Sequence, residues 1–411
     1  MGAAIKFVDR YRAETADLVL NGWEQYITNS DAPDWLKALR VRSGEKVRMS
    51  GLPTPKLERF KYINIPAFLK KNSFEFGKTD LSFDGSVEFV SELSKNYDQD
   101  FVKEMLEATP VSEDKYGDMM LWDQANSLVA QGVVIDIPKN TTGDKPINLR
   151  YKGQDSIASA PRMIARIGEN AEITIIELFT SEGASWHNGV SQIQVGKNTR
   201  VKHYRLQESS DASLHTQNTH VMMDEGSHYE CFTYTTGAKL SRHQVHVDMN
   251  GAHAEVHVNG LNLLQEKQNG DTTITVDHRA PHCNSNQDYR TVLADQSQGV
   301  FQGKVHVFQP AQKTDGYQFA KSLLLSPTAT MHTKPELEIY ADDVKCSHGT
   351  TSGEIDEQAM FYLRSRGIPE DQAKELLIQA FIDEVIETIS SDDMKEHVTH
   401  RSKEWLKSKV A

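Results

Sequence analysis

Between about residue 128 and about residue 350 the apolar residues come in short runs dominated by Ile and Val. They read IDIPKN, INLRY, RMIARIG, EITIIELF, SQIQVG, RVKHYRLQ, HYECFTYTTG, HQVHVDMN, AEVHVNGLNLL, TTITVDH, YRTVLAD, GKVHVF and LEIYADD. Polar or glycine-containing turns separate them, which predicts strands. About fourteen such strands follow one another over roughly 220 residues with no convincing helix between them. A two-layer sandwich is usually smaller than this. A long strand array with modest loops fits a β-solenoid or a large barrel. No strict sequence repeat accompanies it.

The flanks follow a different rhythm. Residues 1 to about 127 read as mainly helical. TADLVLNGWEQYITN places Leu18, Leu20, Trp23, Tyr26 and Ile27 at helical spacing. A loop with Gly51, Pro53 and Pro55 follows, and DQDFVKEMLEATP predicts a short helix that ends before Pro110. Helix returns near Glu354. EIDEQAMFYLRSRG ends at Gly367, a natural residue just past a helix C-terminus. Pro369 then opens a helix at its first position, with Glu370 and Asp371 at the positive end. This helix, 369–389, carries two apolar stripes. One is Leu377, Phe381 and Val385; the other is Ile378, Ile382, Ile386 and Ile389. A surface helix ordinarily buries one stripe. Two stripes predict that one packs at home and the other meets a partner, unless the helix is buried inside its own domain.

Bulk properties narrow the class. A chain of 411 residues is long for one domain. The formal net charge of −13 argues against nucleic acid and anionic membranes as main partners. No apolar run approaches the roughly 18 residues of a membrane helix. The N-terminus lacks the apolar core of a signal peptide, and Lys6 spoils a myristoylation motif at Gly2. Three cysteines, Cys231, Cys283 and Cys346, without a secretion signal point to free thiols in a reducing cytoplasm.

Candidate chemistry is sparse. FGKT at 76–79 resembles the end of a phosphate-binding loop, but position 72 is Asn where that loop needs Gly, so no ATP site is expected in this chain. HAEVHV puts His253, Glu255 and His257 on one strand face. The outer two would lie about 13 Å apart, too far to share one zinc, and a solvent-facing polar row is the plainer reading. DHRAPHCN offers Asp277, His278, His282 and Cys283 around a turn at Pro281, either as metal ligands or as loop anchors. In KCSHG, Cys346 and His348 would share a strand face about 6.5–7 Å apart, with donor types that suit iron or zinc. One strand end does not complete a cluster, which typically wants four protein ligands. Spacing alone leaves two readings: an inert strand end, or a site that a second chain completes.

Residues 301–368, FQGKVHVFQPAQKTDGYQFAKSLLLSPTATMHTKPELEIYADDVKCSHGTTSGEIDEQAMFYLRSRGI, resemble the signature of the SufB/SufD family, the non-ATPase components of the SUF iron–sulfur cluster assembly machine. GLPTPKLERFKY, 51–62, resembles the family's N-terminal stretch, with Phe60 where Trp is usual. SufB tends to carry His-Glu-Ala-Thr in the corresponding place. Here His348 is followed by Gly349, Thr350 and Thr351, so the chain is closer to the SufD branch.

The resemblance implies a mainly β fold: a right-handed parallel β-helix core, 128–350, flanked by an N-terminal helical domain, 1–127, and a C-terminal helical domain, 351–411. It implies a non-catalytic scaffold that pairs with SufB through the β-helix ends and docks the SufC ATPase on its C-terminal helices, where Leu377, Phe381, Ile382 and Val385 are the expected contacts. It implies that His348, with Cys346, contributes to a nascent iron–sulfur cluster shared with SufB. No cofactor is expected on this chain alone. ATP enters only through SufC, and whether flavin binds the complex is open. A third reading is a purely structural homodimer that self-associates through the same edge when SufB is absent; the sequence does not fix the state of the isolated chain. The rival reading, a carbohydrate-active β-helix enzyme, has only Asp342 and Asp343 to offer, and adjacent strand residues point to opposite faces.

Overall fold

The computed structural model describes residues 14–20, 22–28, 31–110 and 119–410. Its centre is a parallel β-helix. Each turn gives one strand to each of two sheets. The first sheet runs Gly132–Ile137, Arg162–Ile167, Trp186–Val195, Leu214–Met223, Leu240–Met249, Asn269–His278, Gln298–Val307 and Thr330–Ile339. The second runs Ile147–Gly153, Glu172–Ser181, Arg200–Glu208, His228–Thr235, Glu255–Leu264, Asn284–Leu293, Asp315–Leu324 and Lys345–Gly353. All neighbours in these two series pair in parallel.

The period is regular in space and loose in sequence. Leu214 pairs with Leu240, 26 residues on, and Gln298 with Thr330, 32 residues on. What repeats is a corner. Asn140, Asn170, Asn198, Gly226, His253, His282 and Lys313 stand at equivalent places, each with φ between 53° and 65°. Asn tolerates this left-handed conformation best among residues with a side chain. Its amides form a ladder, Asn170 Nδ2 donating to Asn140 Oδ1 at 3.1 Å and Asn198 Nδ2 to Asn170 Oδ1 at 3.4 Å.

Strands covered on both faces need apolar residues without strict alternation. Inside the coil, Val133, Ile147, Ile175, Cys231, Val245, Val258 and Ile274 belong to one continuous buried core. The outer face of the first sheet is covered by N-terminal elements: α1 (14–20), α2 (Trp23–Thr28), α3 (Asp34–Ser50), α4 (Ile65–Leu69), α5 (Asp100–Glu107) and α6 (Met120–Leu128). The outer face of the second sheet carries α7 (Glu357–Ser365), α8 (Glu370–Ile386) and α9 (Asp392–Val410), with α8 and α9 in its apolar cover.

Several boundaries differ from expectation. The single helix expected over 15–29 is broken at Gly22, whose φ of 77° suits a glycine and separates α1 from α2. The segment expected to be mainly helical also supplies strands. Asp80–Gly85 and Val90–Glu92 pair antiparallel with Ile147–Gly153 and Gly132–Ile137 and so close the first turn of the coil. The last strand continues to Gly353, beyond 350. Pro369 occupies the cap of α8 with ψ 150° and stands just outside the helix. Gly367 ends α7 with φ 85°, its N–H donating to Arg364 O while Ile368 N–H reaches Leu363 O.

Candidate functional site

The two ends of the coil are unlike. The first turn ends in the short antiparallel strands 80–85 and 90–92, whereas the last turn ends in the long parallel strands Thr330–Ile339 and Lys345–Gly353, each with one strand neighbour among the described residues. Thr330–Ile339 is half-buried along most of its length, and Lys345–Gly353 is largely exposed. Tyr317, Phe319, Ile339 and Tyr340 are exposed apolar groups at the same end. Open strand edges of this kind template pairing with another chain.

Cys346 and His348 lie on that last strand. Cys346 pairs with Gly316 and His348 with Gln318, so both face the inside of the coil. Cys346 is half-buried beside Val305, Ala341 and Leu337. Partial burial pushes its thiol above the ordinary value, and the charge of Asp315 adds to the effect. The thiolate is the metal-binding form, so this chain alone does not activate Cys346. His348 is exposed at the open end. Beneath it, in register, lie Gln318, Gln287, Val258 and Cys231. The buried amides of Gln287 and Gln318 have no hydrogen-bond partner among the described residues. This polar column exists only through strand register; nothing local in the sequence announces it.

The other cysteines stay apart. Cys231 is buried, its thiol pushed up to about 11, four strand spacings below His348, or roughly 19 Å. Cys283 is buried too, donating to Gly251 O at 3.3 Å. The DHRAPHCN residues diverge for the same reason that strands alternate. Asp277 faces outward, whereas His278 is buried on Ser285 Oγ at 2.8 Å. His282 stands at the corner, its ring stacked on that of His253 at 4.9 Å. His253 is therefore a corner residue and shares no strand face with Glu255 and His257. Glu255 instead lies between His257 Nε2 at 2.9 Å and His228 Nδ1 at 3.4 Å. Asp342 and Asp343 are exposed in the turn before the last strand, and Asp343 is tied to Lys313. They form no facing pair of acids.

The C-terminal helices also depart from expectation. Asp356 caps α7, accepting from Gln358 N–H at 2.8 Å, so the helix opens after Glu354. On α8, Ile378, Ile382, Val385 and Ile386 are buried against Tyr204, Phe232, Leu261 and Val292 of the second sheet. Two of the four expected partner contacts, Ile382 and Val385, are thus spent on the chain's own core. Phe381 is half-buried with the Arg290 guanidinium 5.7 Å from its ring centre, and Leu377 is half-buried. The free apolar surface is Phe361 (75% exposed), Tyr362 and Leu376.

Comparison with known proteins follows the same lines. A family profile described as "SUF system FeS cluster assembly, SufBD core domain" matches residues 149–381, more than half of the chain. The chain is 35% identical over 237 residues to the iron–sulfur cluster assembly protein SufD of Escherichia coli K12, covering 57% of this chain and 56% of that protein. It is 36% identical over 288 residues to the chloroplastic protein ABCI7 of Arabidopsis thaliana, covering 67% of this chain and 60% of that protein. An iron–sulfur cluster assembly SufBD family protein of Synechocystis is 35% identical over 274 residues, 64% of this chain and 60% of the relative. In each case the match spans less than two thirds of the relative's length.

Proposed function

The chain belongs to the SufBD family of SUF-system iron–sulfur cluster assembly proteins, and on that premise we propose that it is a non-catalytic scaffold subunit of the SufD type. It pairs with SufB through the bare end of its β-helix and docks the SufC ATPase through its C-terminal helices. His348 and Cys346 supply half of the site on which the cluster is assembled. Iron and sulfide are the cargo of this reaction, and ATP acts only through SufC.

The observation that carries the reading is the coincidence of two features on one strand. Lys345–Gly353 has an unpaired edge, and the same strand holds the half-buried Cys346 and the exposed His348. A partner strand laid along this edge would bring its own side chains within a few ångströms of both. Two donors are too few for a cluster, and a raised thiol wants a cation or metal beside it. Both deficits are met by a second chain.

His348→Ala in a complex reconstituted with SufB and SufC is expected to keep assembly of the subunits and to lose most of the iron and acid-labile sulfide recovered per complex. Unchanged iron and sulfide would remove His348 from the site. The bare edges also favour a second state, a homodimer of this chain in the absence of SufB. Size-exclusion chromatography with and without SufB separates the two.

A further inference from the structure

On the outer face of the first sheet, far from Cys346 and His348 in register, five titratable side chains converge. His246 and Asp248 come from Leu240–Met249, and Asp277 lies directly beside Asp248 on the next strand. His220 and His306 flank them on the strands either side. All five are nine-tenths or more buried as residues. His246 Nε2 faces Asp248 Oδ1 at 3.4 Å and Asp277 Oδ2 at 3.6 Å and makes a hydrogen bond to neither. The three ligand atoms lie within 4.8 Å of one another.

These spacings fit a metal better than they fit hydrogen bonds. Bonds of 2.0–2.1 Å in a tetrahedral sphere put neighbouring ligand atoms about 3.3–3.4 Å apart. The far oxygen of each carboxylate is held by another imidazole: His220 Nε2 lies 2.7 Å from Asp248 Oδ2, and His306 Nδ1 lies 3.4 Å from Asp277 Oδ1. Orientation of ligating carboxylates by such outer groups is the usual architecture of a metal site. The geometry points to a site for a divalent first-row transition ion of the zinc or iron(II) class, with His246, Asp248 and Asp277 as ligands and His220 and His306 as positioning residues.

Arg279 marks where the ion's charge belongs. Its guanidinium touches the same two inner oxygens, with Nη2 2.9 Å from Asp248 Oδ1 and also bonded to Asp277 Oδ2. It is the most exposed member of the group, at 29%, and leans toward the Phe308 ring at 4.6 Å. A divalent ion in place of the guanidinium cancels both carboxylates. Arg279 therefore competes with the metal for the same oxygens and swings outward when it binds.

The test uses the chelator-stripped full chain titrated with Co²⁺, whose visible absorption reports tetrahedral binding, and with Zn²⁺ in competition. One tight equivalent is expected. His246→Ala and Asp277→Asn should each weaken that equivalent about a hundredfold, and His220→Ala about tenfold to a hundredfold. Arg279→Gln should tighten it about tenfold, an outcome that a misfolded or merely destabilised variant does not produce. Binding by His246→Ala within twofold of the unsubstituted chain would overturn the proposal, because it would place the ion at other histidines. Unchanged or weaker binding by Arg279→Gln would overturn it equally.

Discussion

The inside of the β-helix is wetter in composition than a solenoid needs. Glu177 is fully buried with His203 Nε2 at 2.9 Å and Arg205 Nε at 3.4 Å, and His203 Nδ1 meets Tyr229 Oη at 2.7 Å. Farther round, His187 stacks on His215 at 4.7 Å, with Nε2 3.0 Å from Gln217 Oε1. Burial is the main force on both rings. It lowers His187 to about 4, and His215 lies well below its ordinary value. The sign follows from where the protons go. Between pH 6.5 and 4 the unfolded chain protonates His187 while the folded chain does not, so stability falls as pH drops through that window. The His187 shift alone is expected to remove about 2 kcal/mol between pH 7 and pH 5. Urea unfolding of His187→Gln at the two pH values should show that much less acid sensitivity than the unsubstituted chain. An identical pH slope in the two proteins would mean that the ring is not held neutral.

Elements were legible where one residue type does one job. Ile and Val runs announced the strands, and Gly367 announced the end of α7. The coil's period was hidden because its corner is defined by a backbone angle that the sequence meets in four ways: with Asn at 140, 170 and 198, Gly at 226, His at 253 and 282, and Lys at 313. The two stripes of α8 were visible, but which stripe faces home depends on the second sheet's outer surface, about a hundred residues away or more. Cys346 and His348 stood out by their spacing and donor types, but only the resemblance to a family chose between an inert strand end and half of a site. The cluster of His246, Asp248 and Asp277 was out of reach, because the register that joins Asp248 to Asp277 across 29 residues is not written at either position. The helix assignment gives a paired expectation. Ile382→Asp, which buries a charge between α8 and the sheet, should destabilise the protein by more than about 4 kcal/mol. Phe361→Asp on the exposed face of α7 should change stability by no more than about 0.5 kcal/mol, yet abolish co-purification with SufC. Thermal melts and a pull-down separate the two. SufC retained at normal levels by Phe361→Asp would move the docking face elsewhere.

At the scale of the molecule the β-helix behaves as a stack whose turns touch only their neighbours, so its end turns are held from one side. Amide exchange should therefore be fastest, within the β-helix, in Lys345–Gly353 and Thr330–Ile339, and should slow selectively there when SufB is added. Uniform protection along the coil, or slowing confined to the helices, would contradict pairing through these strands. The same asymmetry limits what the protein can build. Strands 80–85 and 90–92 lie antiparallel across the first turn, so the two ends of the stack present different edges: short and antiparallel at the first turn, long and parallel at the last. Two such rods meeting open end to open end close each other off. A pair formed through the last strands would cover both parallel edges at once, and a third chain could add only at the short antiparallel edges of the first turn.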